Sequence, residues 1–207
     1  MNVELIAIVG GSGSGKTWLA RQLLAAFAPD AARLSLDDFY RDLSHLPLAE
    51  RERTNFDDPD SIDWPLFQEC LTSIRRGGAT RLPQYDFTTH TRRPETRPWL
   101  PCRLVVIDGL WLLHRPELRD LYRLGIFVDC PPELRLRRRV ERDVAERGRS
   151  EASVHEQFTR HVAPMHDRFV ADQVRHAGLV VPSPVVAETL ARLTRQCREW
   201  LGGEGAR

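Results

Sequence analysis

The chain of 207 residues is nearly without lysine: of its 30 basic residues only Lys16 is lysine, and the other 29 are arginine. It is also poor in cysteine, with Cys70, Cys102, Cys130 and Cys197 scattered and no C-x-x-C pair among them. That spacing argues against a zinc site or a disulfide frame and predicts free thiols in a reducing cytosol. No apolar run approaches the length of a membrane span, and the N-terminus lacks the basic segment of a signal peptide. A cytoplasmic location with no membrane attachment is therefore expected. Neither sign of charge dominates, and a net charge of +1 gives no bulk attraction to nucleic acid or anionic lipid. Internal repeats and low-complexity tracts are missing as well.

What is present is ordinary for a folded domain, with 42% hydrophobic and 29% charged residues. Leu5-Ile6-Ala7-Ile8-Val9, Leu34-Ser35-Leu36, Leu104-Val105-Val106-Ile107, Ile126-Phe127-Val128 and Leu179-Val180-Val181 read as five strands. Between them, Leu19, Leu23, Leu24 and Phe27, then Phe67, Leu71 and Ile74, recur with helical spacing. Pro65 belongs to the first turn of the second helix, and Gly77-Gly78 lie beyond its end. Val186, Leu190, Leu193, Cys197 and Leu201 form the stripe of a last helix. Alternating strands and helices imply an α/β fold with a mainly parallel sheet covered on both faces. One domain over 1–201 is expected, followed by a tail over 202–207. The interval 80–101, rich in proline, threonine and arginine, reads as a β-hairpin flap. The arginine-rich stretch over 133–165 reads as a helical lid.

Gly10-Gly11-Ser12-Gly13-Ser14-Gly15-Lys16-Thr17 meets the G-x-x-x-x-G-K-[S/T] pattern with a strand before it and a helix after. Its glycines let backbone N–H groups converge on phosphate oxygens, aided by the positive helix N-terminus. Lysine is used at the one position where a compact ammonium must sit between phosphates, and a planar guanidinium would not fit there. Thr17 supplies a hydroxyl to Mg²⁺, and Asp108, closing an apolar strand, is its natural partner at the metal. The chain is thereby read as a three-layer P-loop NTPase fold.

Further motifs carry a resemblance. Asp37-Asp38-Phe39-Tyr40, Asn55-Phe56-Asp57-Asp58-Pro59-Asp60, Pro83-Gln84-Tyr85-Asp86-Phe87, His90-Thr91-Arg92 and Glu146-Arg147-Gly148-Arg149 resemble, in order and spacing, segments of the uridine (uridine–cytidine) kinases, relatives of phosphoribulokinase. Gln157 with Val162-Ala163-Pro164-Met165-His166 resembles the next block of that family. The resemblance implies a kinase that uses Mg·ATP, or GTP, to phosphorylate uridine and cytidine at the 5′-hydroxyl in pyrimidine salvage. It implies no nucleic-acid partner and a homo-oligomer, often a tetramer.

A carboxylate where strand two ends can accept the proton of an attacking hydroxyl. Chemistry alone does not choose between Asp37 and Asp38; the resemblance places the base at Asp37. It assigns Asp57 to the ribose hydroxyls, and Tyr40, Phe56, Tyr85, Phe87 and His90 to the nucleoside side. Tyr85 and His90 have opposite strand parity, so both reach one pocket only if a turn falls between them, and 86–89 can supply it. A histidine at His90 is what relatives accepting both pyrimidine nucleosides carry.

On a helical wheel beginning at Glu133, Leu136, Val140 and Val144 form one stripe, with Arg135, Arg139 and Arg142 nearly opposite. An arginine-rich face is ordinarily solvated, but in a P-loop kinase it can cover the phosphates. The resemblance gives Arg139, Arg149 and Gln157 to the nucleoside, and leaves Arg142 and Arg147 to the phosphates as catalytic groups beside Lys16.

Asp58 stands where the family usually has histidine, Leu36 replaces the usual glutamine before Asp37, and His176-Ala177-Gly178 lacks the usual tyrosine and aspartate. Pro182-Ser183-Pro184 replaces the glycine- and asparagine-bearing loop that lies by the donor's adenine in relatives, the one departure that bears on the donor. ATP and GTP both remain open. Competing readings are a kinase of another small alcohol, such as nicotinamide riboside, pantothenate or ribulose phosphate, and a non-catalytic nucleotide-binding regulator. No Asn-Lys-x-Asp guanine motif supports a GTPase switch.

Overall fold

Five consecutive apolar residues in the first strand leave it no polar face to turn to water, and the fold gives it none. A computed structural model describes residues 3–202. In chain order its elements begin with β1 (Glu4–Val9), α1 (Lys16–Phe27), β2 (Ala31–Ser35), α2 (Leu48–Arg51) and α3 (Trp64–Arg75). Four short strands follow: β3 (Arg81–Leu82), β4 (Tyr85–Asp86), β5 (Thr91–Arg92) and β6 (Arg97–Pro98). Then come β7 (Leu104–Gly109), α4 (Pro116–Arg119), β8 (Leu124–Asp129), α5 (Pro132–Arg147), α6 (Glu151–Gln157), α7 (Ala163–Met165), β9 (Leu179–Pro182) and α8 (Ala187–Gly202).

The main sheet is parallel throughout, in the order β2-β7-β1-β8-β9. Leu5, Ala7 and Val9 enter a core on one face with Phe39, Phe67, Leu71 and Trp111. Ile6 and Ile8 enter the other, against Leu19 and Leu23 of α1 and Leu193 and Cys197 of α8. Each fully buried leucine or isoleucine contributes about 1.5–3 kcal/mol, so this two-sided burial dominates the stability of the sheet. Asp63 caps α3 by accepting a hydrogen bond from Leu66 N at 3.2 Å, with Pro65 in the first turn as expected. All four cysteines are thiols. Among the described residues no helix is long and apolar enough to cross a membrane.

Register brings the functional loops to one edge. Ile8 pairs with Asp108, Ser35 with the same Asp108, and Asp129 with Pro182. The turns after β1, β2, β7 and β9 therefore leave the sheet level with one another, at the carboxyl ends where open α/β sheets bind ligands.

Three boundaries differ from the sequence reading. The second strand ends at Ser35, and Leu36–Phe39 is a 3-10 turn that swings Asp37 and Asp38 off the sheet. Within 80–101 the expected hairpin is present but interrupted, with the antiparallel pair β4–β5 nested inside the antiparallel pair β3–β6. Helix continues beyond 165 to His176, through two π-helical stretches at Phe158–Val162 and His166–Val170. Gly202 closes α8, so of the expected tail the residues 203–207 lie outside the described residues.

Candidate active site

The turn after β1 has the backbone that its glycines permit. Gly13 and Gly15 take φ of 80° and 96°, in the left-handed region that favours glycine. A Cβ on Gly13 would come within 2.4 Å of the Arg135 carbonyl oxygen, so α5 packs on the loop at a distance no side chain allows. Lys16 Nζ donates to Gly11 O at 3.4 Å, curling back over the loop. Burial holds its ammonium below the ordinary lysine range; Asp37 and Asp108 oppose that shift, and Arg142 and Arg139 add to it.

Thr17 Oγ1 donates to Asp108 Oδ2 at 2.6 Å, linking the start of α1 to the end of β7. A hydroxyl and a carboxylate at hydrogen-bond distance are hard oxygen donors, the kind that magnesium takes. The carboxylate is held by a residue that the sequence reading did not single out. Arg33 of β2 donates to both oxygens of Asp108, from Nε at 2.7 Å and Nη2 at 2.9 Å. Its signal was an arginine within a strand, pointless unless a buried acid waits on the neighbouring strand.

Asp37 and Asp38 lie on the turn beside this group. Burial first, and the charge of Asp37 second, push the Asp38 carboxyl up to about 6. Asp37 acts electrostatically on Lys16, Arg33, Asp38 and Tyr40 alike, so its charge is felt at the loop lysine, at the arginine that holds Asp108 and at the aromatic group.

The aromatic residues form one group. Tyr40 meets Phe56 at 5.4 Å, Tyr85 at 5.2 Å and Phe87 at 6.4 Å between ring centroids. His90 stacks on Phe56 at 4.7 Å with planes 15° apart. The parity conflict between Tyr85 and His90 is resolved as it had to be. Asp86 accepts from the backbone N–H of Thr88 and Thr89, closing the turn, and His90 takes a left-handed φ of 54°. Arg92 then ties the flap to the Asp37 segment, donating to Tyr40 O at 2.8 Å and to Asp63 Oδ2 at 3.0 Å. Tyr40 OH is committed to Phe56 O at 3.0 Å, whereas the buried hydroxyl of Tyr85 has no partner among the described residues.

Phe56 also borders a cavity of about 330 Å³ whose walls include Asp57, Arg149, Gln157, Arg160 and His161. Burial raises the Asp57 carboxyl above its usual range, against the pull of Arg139, His161 and Lys16. Tyr85, Phe87 and His90 do not line this cavity; the rings of Tyr85 and His90 adjoin it through Phe56.

Helix α5 inverts the usual wheel. Arg135, Arg139 and Asp143 are buried, while Val144 is exposed and Leu136 and Val140 are only half-buried. The reason is the neighbour: the face packs on a polar loop, not an apolar sheet. Arg139 donates from Nη1 to Ser12 Oγ at 2.8 Å and from Nη2 to Gln157 Oε1 at 2.9 Å. Arg149 also donates to Gln157 Oε1. Arg142 sits by the phosphate side and pairs with Asp143 at 2.8 Å, which Arg139 Nε approaches at 3.4 Å. Arg147 is the last residue of α5, and its side chain lies outside the described residues. Replacing Arg139 with methionine removes one cation from the buried Asp143 and is expected to cost about 3 kcal/mol in urea denaturation. Arg139→Lys should recover part of that loss; an unchanged midpoint in the methionine variant would show the pair to be dispensable.

With this geometry in view, residues 5–189 match the family described as "Phosphoribulokinase / Uridine kinase family". The chain belongs to that family. A protein named uridine kinase from Chloroflexus aggregans is 42% identical over 182 residues, spanning 87% of each chain. Another, from Leuconostoc citreum, is 40% identical over 181 residues and 86% of each. The phosphoribulokinase of Rhodobacter spheroides superposes with a TM-score of 0.66 over 87% of this chain and 70% of its own, at 16% identity, a likeness of fold alone. Membership in the phosphoribulokinase and uridine kinase family agrees with the parallel five-stranded sheet.

Proposed function

We propose that this member of the family transfers the γ-phosphoryl group of a nucleoside triphosphate to the 5′-hydroxyl of uridine, and of cytidine, giving the monophosphate. The observation that supports this reading is that the charge of Asp37 acts both on Lys16 of the loop and on Tyr40, whose ring meets Phe56 on the wall of the 330 Å³ cavity. Identity of about 40% to proteins named uridine kinase, over most of each chain, supports the same substrate.

In this reading Asp37 takes the proton of the 5′-hydroxyl as its oxygen bonds to the γ-phosphorus. The bond to the bridging oxygen breaks, and the nucleoside diphosphate leaves. The transition state of such a transfer is loose, so the groups that hold the reactants in line contribute more than proton removal. Lys16 and Arg142 neutralise phosphate oxygens, and Arg139 links the loop to the nucleoside side through Ser12 and Gln157. Thr17 and Asp108 would hold magnesium, which supplies further neutralisation of the β- and γ-phosphates. Asp57 can accept two hydrogen bonds from ribose hydroxyls. Phe56 on the cavity wall offers a planar contact to a pyrimidine, and the His90 ring stacked behind it supports that face.

Diphosphate release measured with Mg·ATP across a panel of acceptors tests the proposal. Stimulation by uridine and cytidine is expected; stimulation only by a non-nucleoside, or by no acceptor, overturns it. For the base contact, His90→Ala is expected to raise KM for uridine and cytidine about tenfold, with KM for ATP within about twofold. Equal shifts for all three would assign His90 to the folding of the flap.

A further inference from the structure

The order of the sheet divides the edge above the phosphate loop into two sides. Asp37 follows β2 and Asp108 lies in β7, both on one side of β1. Ser183 and Pro184 follow β9, at the opposite end of the sheet. On that second side a cavity of about 450 Å³ runs from Lys16 and Trp18 of α1 to Arg138 of α5 and the segment Ser183-Pro184-Val185. The acceptor side is already taken by the carboxylates and the aromatic group. A nucleotide whose phosphates lie on the loop must therefore carry its base into this cavity.

Trp18 is out of character there. Trp64, Trp99 and Trp111 are at most 7% exposed, whereas Trp18, immediately after Thr17, is 48% exposed. Facing the same space, Arg138 is fixed by donating from Nη1 to Ser183 Oγ at 2.9 Å and to Ser14 O at 3.3 Å. Pro184 and Val185 add apolar surface to the same lining, and Arg142 a further cation. No side-chain carboxylate or amide lines the cavity, so little in it reads the hydrogen-bonding edge of a base. An indole, a planar cation and a proline ring instead suit the face of one.

We propose that Trp18 is the stacking platform for the base of the donor nucleoside triphosphate, with Arg138 as the cation of the same site. This deepens the kinase reading and rests on it. Because stacking uses the face of the base, Trp18 holds adenine and guanine alike and contributes nothing to the phosphates.

The test uses the full chain and three probes: Mg·ATP, Mg·GTP and inorganic tripolyphosphate. Trp18→Ala is expected to raise KM for ATP and for GTP about tenfold, about 1.4 kcal/mol. The kcat and the KM for uridine should stay within about twofold, and Trp18→Phe should recover most of the loss. Tryptophan emission should respond to ATP and GTP in the parent chain and not in Trp18→Phe. Inhibition by tripolyphosphate, which has no base, should be equal in parent and variants. Unchanged KM for both nucleotides in Trp18→Ala, or weakened tripolyphosphate inhibition, overturns the platform while leaving the kinase reading intact. Failure of every nucleotide to bind the parent chain overturns both.

Discussion

Asp37→Asn is expected to lower kcat about a thousandfold while the dissociation constant of Mg·ATP changes by less than about threefold. The asparagine keeps the volume and one acceptor of the aspartate but cannot take the hydroxyl proton. Since Asp37 is also the second cause of the high Asp38 carboxyl, the substitution has a second readout. In the parent chain Asp38 gains a proton as pH drops below about 6, and kcat/KM is expected to change over that range because the Asp37 carboxylate loses its charged neighbour. A carboxyl raised in the folded state binds its proton more tightly than in the unfolded chain. Its contribution to stability is thus full below the unfolded value of about 4 and is lost as pH rises through 6. Removing the Asp37 charge takes away the second cause of that shift while burial remains, so the part of the stability lost through Asp38 between pH 3.5 and pH 8 should be smaller in Asp37→Asn than in the parent. Stopped assays give kcat, isothermal titration gives the affinity, and urea curves at the two pH values give the stability. Turnover near that of the parent would remove Asp37 from the chemistry.

The second large effect is Lys16→Arg, which conserves charge and is expected to cost at least about a hundredfold in kcat. The ammonium lies close over its own loop, 3.4 Å from Gly11 O, and feels the attraction of Asp37 and Asp108 and the repulsion of Arg142 and Arg139. A guanidinium is broader, directs its donors in a plane, and would crowd the arginines already there. Triphosphate affinity should fall by about tenfold as well, read by competition with a fluorescent nucleotide. A Lys16→Arg variant with parental kcat would mean that charge alone, without shape, suffices at this position.

Much of this could be read before any coordinates. Leu5 to Val9 and Leu104 to Ile107 were legible as strands because an apolar run of that length has nowhere else to go. The phosphate loop was legible because its glycines and lysine are required at fixed spacing. The turn between Tyr85 and His90 followed from their opposite parity once the family resemblance put both on the nucleoside side. Other features were out of reach for physical reasons. Arg33 and Asp108 meet across two parallel strands, 75 positions apart, and no local period reports such a pair. The wheel of α5 assumes that the inward face is the apolar one, and here the inward neighbour is a polar loop. Trp18 carries no pattern of its own; only its exposure beside a cavity distinguishes it.

The lysine that opens α1 has a consequence for chemistry done on the protein from outside. Apart from any α-amino group, the whole surface offers no second primary amine to an acylating or aldehyde reagent. Its lowered proton affinity leaves more of it as free base than a surface lysine would have, and a nucleotide on the loop would shield it. An amine-directed electrophile thus finds a single side-chain address in this molecule, and that address is the phosphate site itself.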